Sequence, residues 1–312
     1  MIQVENLTKR YPGVTAVDRL SFSVRKGEIC GFLGANGAGK STTMRILAGF
    51  IPATDGRAAV AGFDVFRDSL EVRKRIGYMP ENVPLYPDMR INEYLEFRAA
   101  LKGVPSRERG ERIEWVKQQC GLSEVGRKII GHLSKGYRQR VGLADTLVHD
   151  PELIILDEPT IGLDPNQIRV VRELIRDLGK HRTVLLSTHI LPEVEMTCSR
   201  VIIINRGRIV ASDSVERLKQ LRRGGCETVL EVKADAGAVR AELAGIANVE
   251  HIDTEPGSGG WVRAVIHPKA NQDLREPVSE AVRRMNWGLR ELTRRAQTLE
   301  DIFVQLTTED DE

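Results

Sequence analysis

Three short stretches of this 312-residue chain hold the residue types best suited to chemistry. The first, "GANGAGKST" at 34–42, fits the spacing G-x-x-x-x-G-K-[ST]. Glycines let the backbone curl until successive N–H groups face one point, and a helix starting there turns its positive end to the same place. Gly34, Asn36, Gly37, Ala38 and Gly39 would cradle the phosphates of a nucleoside triphosphate. Lys40 would reach the β- and γ-phosphates, and Ser41, followed by Thr42, would bring a hydroxyl to Mg²⁺. The context agrees. "EICGFLG" upstream reads as a buried strand, and "STTMRILAGF" downstream places Met44, Ile46 and Leu47 on a helical pattern.

The second stretch, "LIILDEPT" at 153–160, ends an apolar run in Asp157 and Glu158. Asp157 would hold the magnesium, directly or through water, and Glu158 would orient and polarise an attacking water. Alone, the pair has solvated strand-end acids as its lesser reading; beside a phosphate loop that reading nearly disappears. The third stretch, "LSKGYRQRV" at 133–141, precedes a helical run. Ser134 reads either as a helix N-cap or, with Gly136, as a second anion cradle at a positive helix end, the reading that the phosphate loop favours.

The elements that must position these groups follow from hydrophobic pattern. Residues 1–30 read as strands with turns, "MIQVENLTKRY" and then "LSFSV". From about 88 to 149 the pattern is helical, with Ile91, Tyr94, Leu95 and Leu101 near one face. "LIILDEP", "TVLLSTH" and "VIIINRGRIV" are continuous apolar runs, as parallel strands buried on both faces require. The expectation is an α/β P-loop domain over 1–218 with a helical subdomain and an antiparallel β subdomain, a linker at 219–227, and a small α+β domain over 228–312. The β-α-β-β-α-β order of that last part resembles a ferredoxin-like split unit. Its second helix, from about Asn271 to Trp287, should bury Leu274, Val278, Val282 and Met285. A final helix places Leu299, Ile302, Phe303 and Leu306 on one stripe, before an acidic, disordered "EDDE" end. That stripe reads equally as a docking element or as part of the small domain's own core.

Composition narrows the class. Lys+Arg 46 against Asp+Glu 44 argues against a generally basic nucleic-acid surface. The four cysteines are scattered, without a CxxC pair, which points to a reduced compartment with no disulfide or zinc framework. No apolar run approaches the roughly 20 residues that span a bilayer. The expectation is a cytoplasmic protein that reaches a membrane only through a partner.

"GANGAGKST", "LSKGYRQR", "ILDEPTIGLDP" and "LLSTH", in that order over residues 1–218, resemble an ATP-binding subunit of an ABC transporter. The resemblance implies an exporter-type, single-cassette ATPase using ATP and Mg²⁺, peripheral on the inner face of the cell membrane and joined to integral-membrane permease subunits. It implies a head-to-tail dimer in which Ser134 and Gly136 of one copy close over ATP on the phosphate loop of the other, with no nucleic acid involved. By the same resemblance Tyr11 stacks on adenine, His189 contacts the γ-phosphate as a catalytic switch, and Asp164 communicates across the dimer. One position departs from the family: Glu81 stands where a glutamine is usual. A carboxylate there can still ligate Mg²⁺, and the Pro-rich 80–90 stretch is the expected permease contact. The competing class is a soluble ABC ATPase acting on nucleic acid or ribosomes, disfavoured because the chain lacks inserted coiled coils, zinc modules and a second cassette.

Overall fold

The computed structural model describes residues 1–220, 226–269, 272–296, Glu300 and Phe303. Two compact units divide between Ser214 and Val215.

In the first unit, β1 (Ile2–Tyr11) and β2 (Val14–Val24) pair antiparallel. β3 (Ile29–Leu33), buried from Cys30 onward, leads into the phosphate loop and α1 (Lys40–Leu47). β4 (Asp55–Val60) and β5 (Phe63–Asp64) complete an antiparallel sheet ordered β2-β1-β4-β5. α2 (Ser69–Arg75) and β6 (Ile76–Met79) precede three mutually packed helices, α3 (Ile91–Leu101), α4 (Ser106–Gln119) and α5 (Lys135–Leu147). β7 (Leu153–Asp157), α6 (Pro165–Gly179), β8 (Thr183–Thr188), α7 (Leu191–Thr197), β9 (Arg200–Asn205) and β10 (Arg208–Ser214) then finish a six-stranded sheet. Its order is β10-β9-β3-β8-β7-β6, parallel throughout except for the edge strand β10. Ile2, Leu7, Leu20 and Phe22 of the antiparallel sheet share a core with Phe32, Met44, Leu47, Ile155 and Ile202. Burial of this apolar set fixes the phosphate loop between the two sheets.

Two expectations about this unit change. "VIIINRGRIV" is not one strand but a hairpin, β9 and β10, because Arg206 and Gly207 both take positive φ and turn the chain back. Leu101 is 64% exposed. Counting round α3 from Ile91, the centre of the inner face falls on Arg98 and Lys102. Their cations pair with Asp145 of α5 at 2.8 and 3.0 Å, so an ion network fills the place expected for a leucine.

In the second unit, α8 (Val215–Gln220) is followed by β11 (Cys226–Lys233), α9 (Ala236–Ala244), β12 (Val249–Pro256), β13 (Trp261–Pro268), α10 (Arg275–Arg284) and β14 (Gly288–Ala296). The sheet order β12-β13-β11-β14, antiparallel at every pairing, is that of a ferredoxin-like split βαβ. Leu230, Val262 and Ile266 meet Val239, Leu243, Leu274, Val278 and Val282 in its own core. Met285 departs from the expected stripe: it lies one residue past the end of α10 and is 40% exposed. The expected linker is narrower than 219–227, since α8 runs to Gln220 and β11 begins at Cys226. Asn271, Leu299, Ile302, Leu306 and the acidic end lie outside the described residues.

Candidate functional site

The loop between β3 and α1 is held from both sides. Gly37 and Gly39 have φ of 82° and 104°, a region that side-chain-bearing residues rarely adopt. A Cβ on Gly39 would lie 2.4 Å from the Ala16 carbonyl oxygen of β2. On the other side the Gly207 amide, at the tip of the β9–β10 hairpin, donates to the Ala38 carbonyl at 3.0 Å. Curvature of the loop is thus imposed by its neighbours as well as by its glycines.

Into this loop points Lys40, its side chain 5% exposed. Its Nζ donates to the Gly34 carbonyl at 2.7 Å and to that of Ala35 at 3.2 Å, and lies 3.4 Å from Glu158 Oε1. Asn36, Gly37, Gly39, Lys40, Ser41, Thr42, Glu81 and Glu158 border one open cleft of about 430 Å³. The structure therefore brings Glu81 to the same cleft as Glu158 and the phosphate loop, although it is distant in sequence.

β7 delivers the carboxylates. Ser41 Oγ donates to Asp157 Oδ1 at 3.1 Å, and Ser187 Oγ donates to the same oxygen at 2.5 Å. Asp157 Oδ2 is buried and meets no hydrogen-bond partner among the described residues. Glu158 holds a left-handed φ of 49°, unusual for a side chain of this kind and worth about 1–2 kcal/mol of strain. It is pinned there by its own amide, which donates to both the Ser187 carbonyl and the Ser187 hydroxyl at 3.1 Å. Glu158 Oε2 then meets His189 Nδ1 at 2.9 Å. Ser187 was not singled out by sequence reasoning. Its importance follows from register, since β8 runs parallel to β7 with Ser187 opposite Asp157.

The remaining expected residues stand apart from this cleft. Tyr11 ends β1 half-exposed, with Lys9 Nζ 5.3 Å from its ring centre. Ser134 caps α5, its hydroxyl accepting from the Tyr137 amide at 3.4 Å, so the capping reading is correct as far as one chain goes. Gly136 lies under Gln167, where a Cβ would come 2.2 Å from Oε1. Asp164 caps α6 by accepting from the Gln167 amide at 3.0 Å. Neither Ser134 nor Gly136 borders the cleft around Lys40.

The charges around the cleft test its fit to a nucleotide and a divalent cation. Among the described residues that border the cleft, one ammonium, Lys40, stands with the carboxylates of Glu158 and Glu81, and Asp157 lies beside Ser41. A triphosphate alone would add negative charge to that surplus; a triphosphate with Mg²⁺ would not. The unpartnered Asp157 Oδ2 and the Ser41 hydroxyl beside Oδ1 are hard oxygen donors of the kind that Mg²⁺ takes. The residues fit the ion.

Comparison with known proteins gives a consistent result. The family described as ABC transporter matches residues 17–161, and one described as an AAA domain, putative AbiEii toxin, Type IV TA system, matches 129–196. The bacitracin transport ATP-binding protein BcrA of Bacillus licheniformis is 34% identical over 98% of this chain and 97% of its own length. The linearmycin resistance ATP-binding protein LnrL of Bacillus subtilis is 34% identical over 81% of each chain. A solved ATP-binding subunit of an ABC transporter superposes with a TM-score of 0.65 at 29% identity, over 71% of this chain and 92% of its own.

Proposed function

Because the chain belongs to the ATP-binding subunits of ABC transporters, we propose that the transport its ATP hydrolysis powers is export, through separate permease subunits and as a head-to-tail dimer. The observation that carries the site assignment is the meeting of Lys40, Ser41, Asp157, Glu158 and His189 through contacts of 3.4 Å or less. Lys40 exchanges the Gly34 and Ala35 carbonyls for β- and γ-phosphate oxygens, while loop amides from Gly34 to Thr42 bind the rest of the triphosphate. Ser41 and Asp157, with Glu81 at the cleft wall, hold Mg²⁺, which neutralises phosphate charge when bound. Glu158 accepts a proton from the attacking water. His189 steadies that carboxylate through Nδ1 and presents its other ring nitrogen to the γ-phosphate. Tyr11 stacks on adenine. Ser134 and Gly136, which stand outside their own chain's cleft, close over the nucleotide of a second copy.

Export is supported by two relatives, one named for linearmycin resistance and one for bacitracin transport, the latter matching nearly end to end, including the C-terminal unit. No helix of the described residues is long and apolar enough to cross a membrane. Affinity isolation from detergent-solubilised membranes should recover the chain with an integral-membrane protein whose presence changes its ATP hydrolysis rate. Lys40→Ala should keep that association and lose hydrolysis. Recovery with ribosomes or nucleic acid instead, or full hydrolysis by Lys40→Ala, would overturn the reading.

A further inference from the structure

Four residues beyond His189, on α7, sits a carboxylate that the nucleotide chemistry does not use. Glu193 is only 3% exposed, and the charge nearest to it is that of Arg172. Its Oε2 accepts from Thr160 Oγ1 at 2.8 Å and from Thr188 Oγ1 at 3.4 Å. Thr188 Oγ1 in turn accepts from the Ile190 amide at 3.0 Å. Thr160 lies two residues past Glu158, and Thr188 and Ile190 flank His189 on either side. One carboxylate oxygen therefore joins the two loops whose reactive groups meet at 2.9 Å, Glu158 and His189.

The other oxygen faces a different element. Glu193 Oε1, Arg172 Nε and Thr197 Oγ1 are all buried without a hydrogen-bond partner among the described residues. All three residues line one small cavity, closed by Pro159, Ile175 and Leu186. Its volume of about 10 Å³ matches the space that a single water needs, and that water would have three polar partners. Arg172 belongs to α6, the helix that Asp164 caps. Burial pushes the Glu193 carboxyl up, against the hydrogen bonds from Thr160 and Thr188 and the charge of Arg172. A buried acid held in this way is costly unless its bonds do something for the fold or the reaction.

We propose that Glu193 is a positioning residue for ATP hydrolysis: it clamps the loop after Glu158 to the loop bearing His189, and through a buried water to Arg172 of α6. The clamp sets the Glu158–His189 contact and links it to the turn at Asp164, while Glu193 itself touches neither nucleotide nor water to be activated. The inference rests on the assignment of Glu158 and His189 made above.

The test compares steady-state hydrolysis by Glu193→Ala, Glu193→Gln and Thr160→Val with that of the unaltered chain. Glu193→Ala should lower kcat roughly 10- to 100-fold with KM for ATP within about threefold, because the loops lose register while the phosphate loop is untouched. Glu193→Gln keeps an oxygen acceptor in place and should recover most of the rate. Thr160→Val, nearly the same shape without the hydroxyl, should lower kcat in the same direction even if Glu193→Ala fails to fold. In a His189→Ala background, Glu193→Ala should cost little more, since a residue acting through a contact has no effect once the contact is gone. An unchanged kcat in both Glu193→Ala and Thr160→Val, or fully additive losses with His189→Ala, would overturn the clamp. Hydrolysis by the unaltered chain and its loss in Lys40→Ala test the site assignment separately, so the two can fail independently.

Discussion

Two turns in this molecule look alike in sequence and differ in what surrounds them. Both place a small hydroxyl residue and glycines at the start of a helix, Gly34–Ser41 before α1 and Ser134–Gly136 before α5. Around the first, a lysine, two carboxylates and a histidine converge from β7, β8 and α1. Around the second stand its own cap, Gln167 of α6 and the turn at Gly162, which the Lys135 side chain covers. A helix end supplies partial positive charge in either case. What makes one of them a site is the arrival of side chains from strands remote in sequence. The other is half a site, and needs a surface from elsewhere.

Removing the carboxylate that completes the first turn should have the largest effect. Glu158→Gln keeps the shape and the left-handed backbone but cannot act as a base, so hydrolysis should fall about 10²- to 10⁴-fold while ATP still binds. Gel filtration with ATP and Mg²⁺ should then give a trapped dimer. A monomer under those conditions would count against the second turn as a partner's half-site.

The comparison can be sharpened by mixing chains. Ser134→Arg and Lys40→Ala should each be inactive alone. If the two turns meet across a dimer, a mixture regains one intact site in each mixed dimer, at most about a quarter of the full rate by symmetry. No recovery would mean that both turns serve the same chain.

A smaller effect is expected beneath the second turn, where Arg98 of α3 and Lys102 at its C-terminal end brace α5 at Asp145. Burial pushes the Asp145 carboxyl up, but Lys102 and Arg98 outweigh this and hold it below the usual carboxylate range. A carboxylate depressed in the folded state adds stability above its unfolded pKa, about 3.9, and loses it as pH falls through the lower folded value. Asp145→Asn should therefore cost roughly 3 kcal/mol at neutral pH by leaving two half-buried cations without their carboxylate. It should also flatten the acid side of a plot of melting temperature against pH. An equally steep acid limb in the variant would remove Asp145 from the account.

How much of this was legible in the sequence depends on how local the cause is. The phosphate loop, β3, α1 and the strand ending in Asp157 were readable because each is set by consecutive residues. The β-α-β-β-α-β order of the second unit was readable for the same reason. β4 and β5 were not, since "DGRAAV" and a two-residue strand carry little pattern: β4 forms against β1, and β5 against β4. Ser187 and Glu193 were also missed. Each acts on residues about thirty positions away, and only strand register and helix packing bring them there. His251 and His267 tell the same story: the six histidines have no ligand spacing, yet cross-strand pairing of β12 and β13 sets these two side by side, each against one oxygen of Asp253.

The contact between Gly207 and Ala38 bears on how the protein is made. Every residue of the phosphate loop has left the ribosome long before the β9–β10 hairpin that props it. Closing so distant a contact comes late, because the entropy of the intervening chain must first be given up. A growing chain thus emerges with its phosphate loop spelled out and, at most, braced from the β2 side alone. Nucleotide can assist the folding of this domain only near the end of its synthesis, once the hairpin has closed.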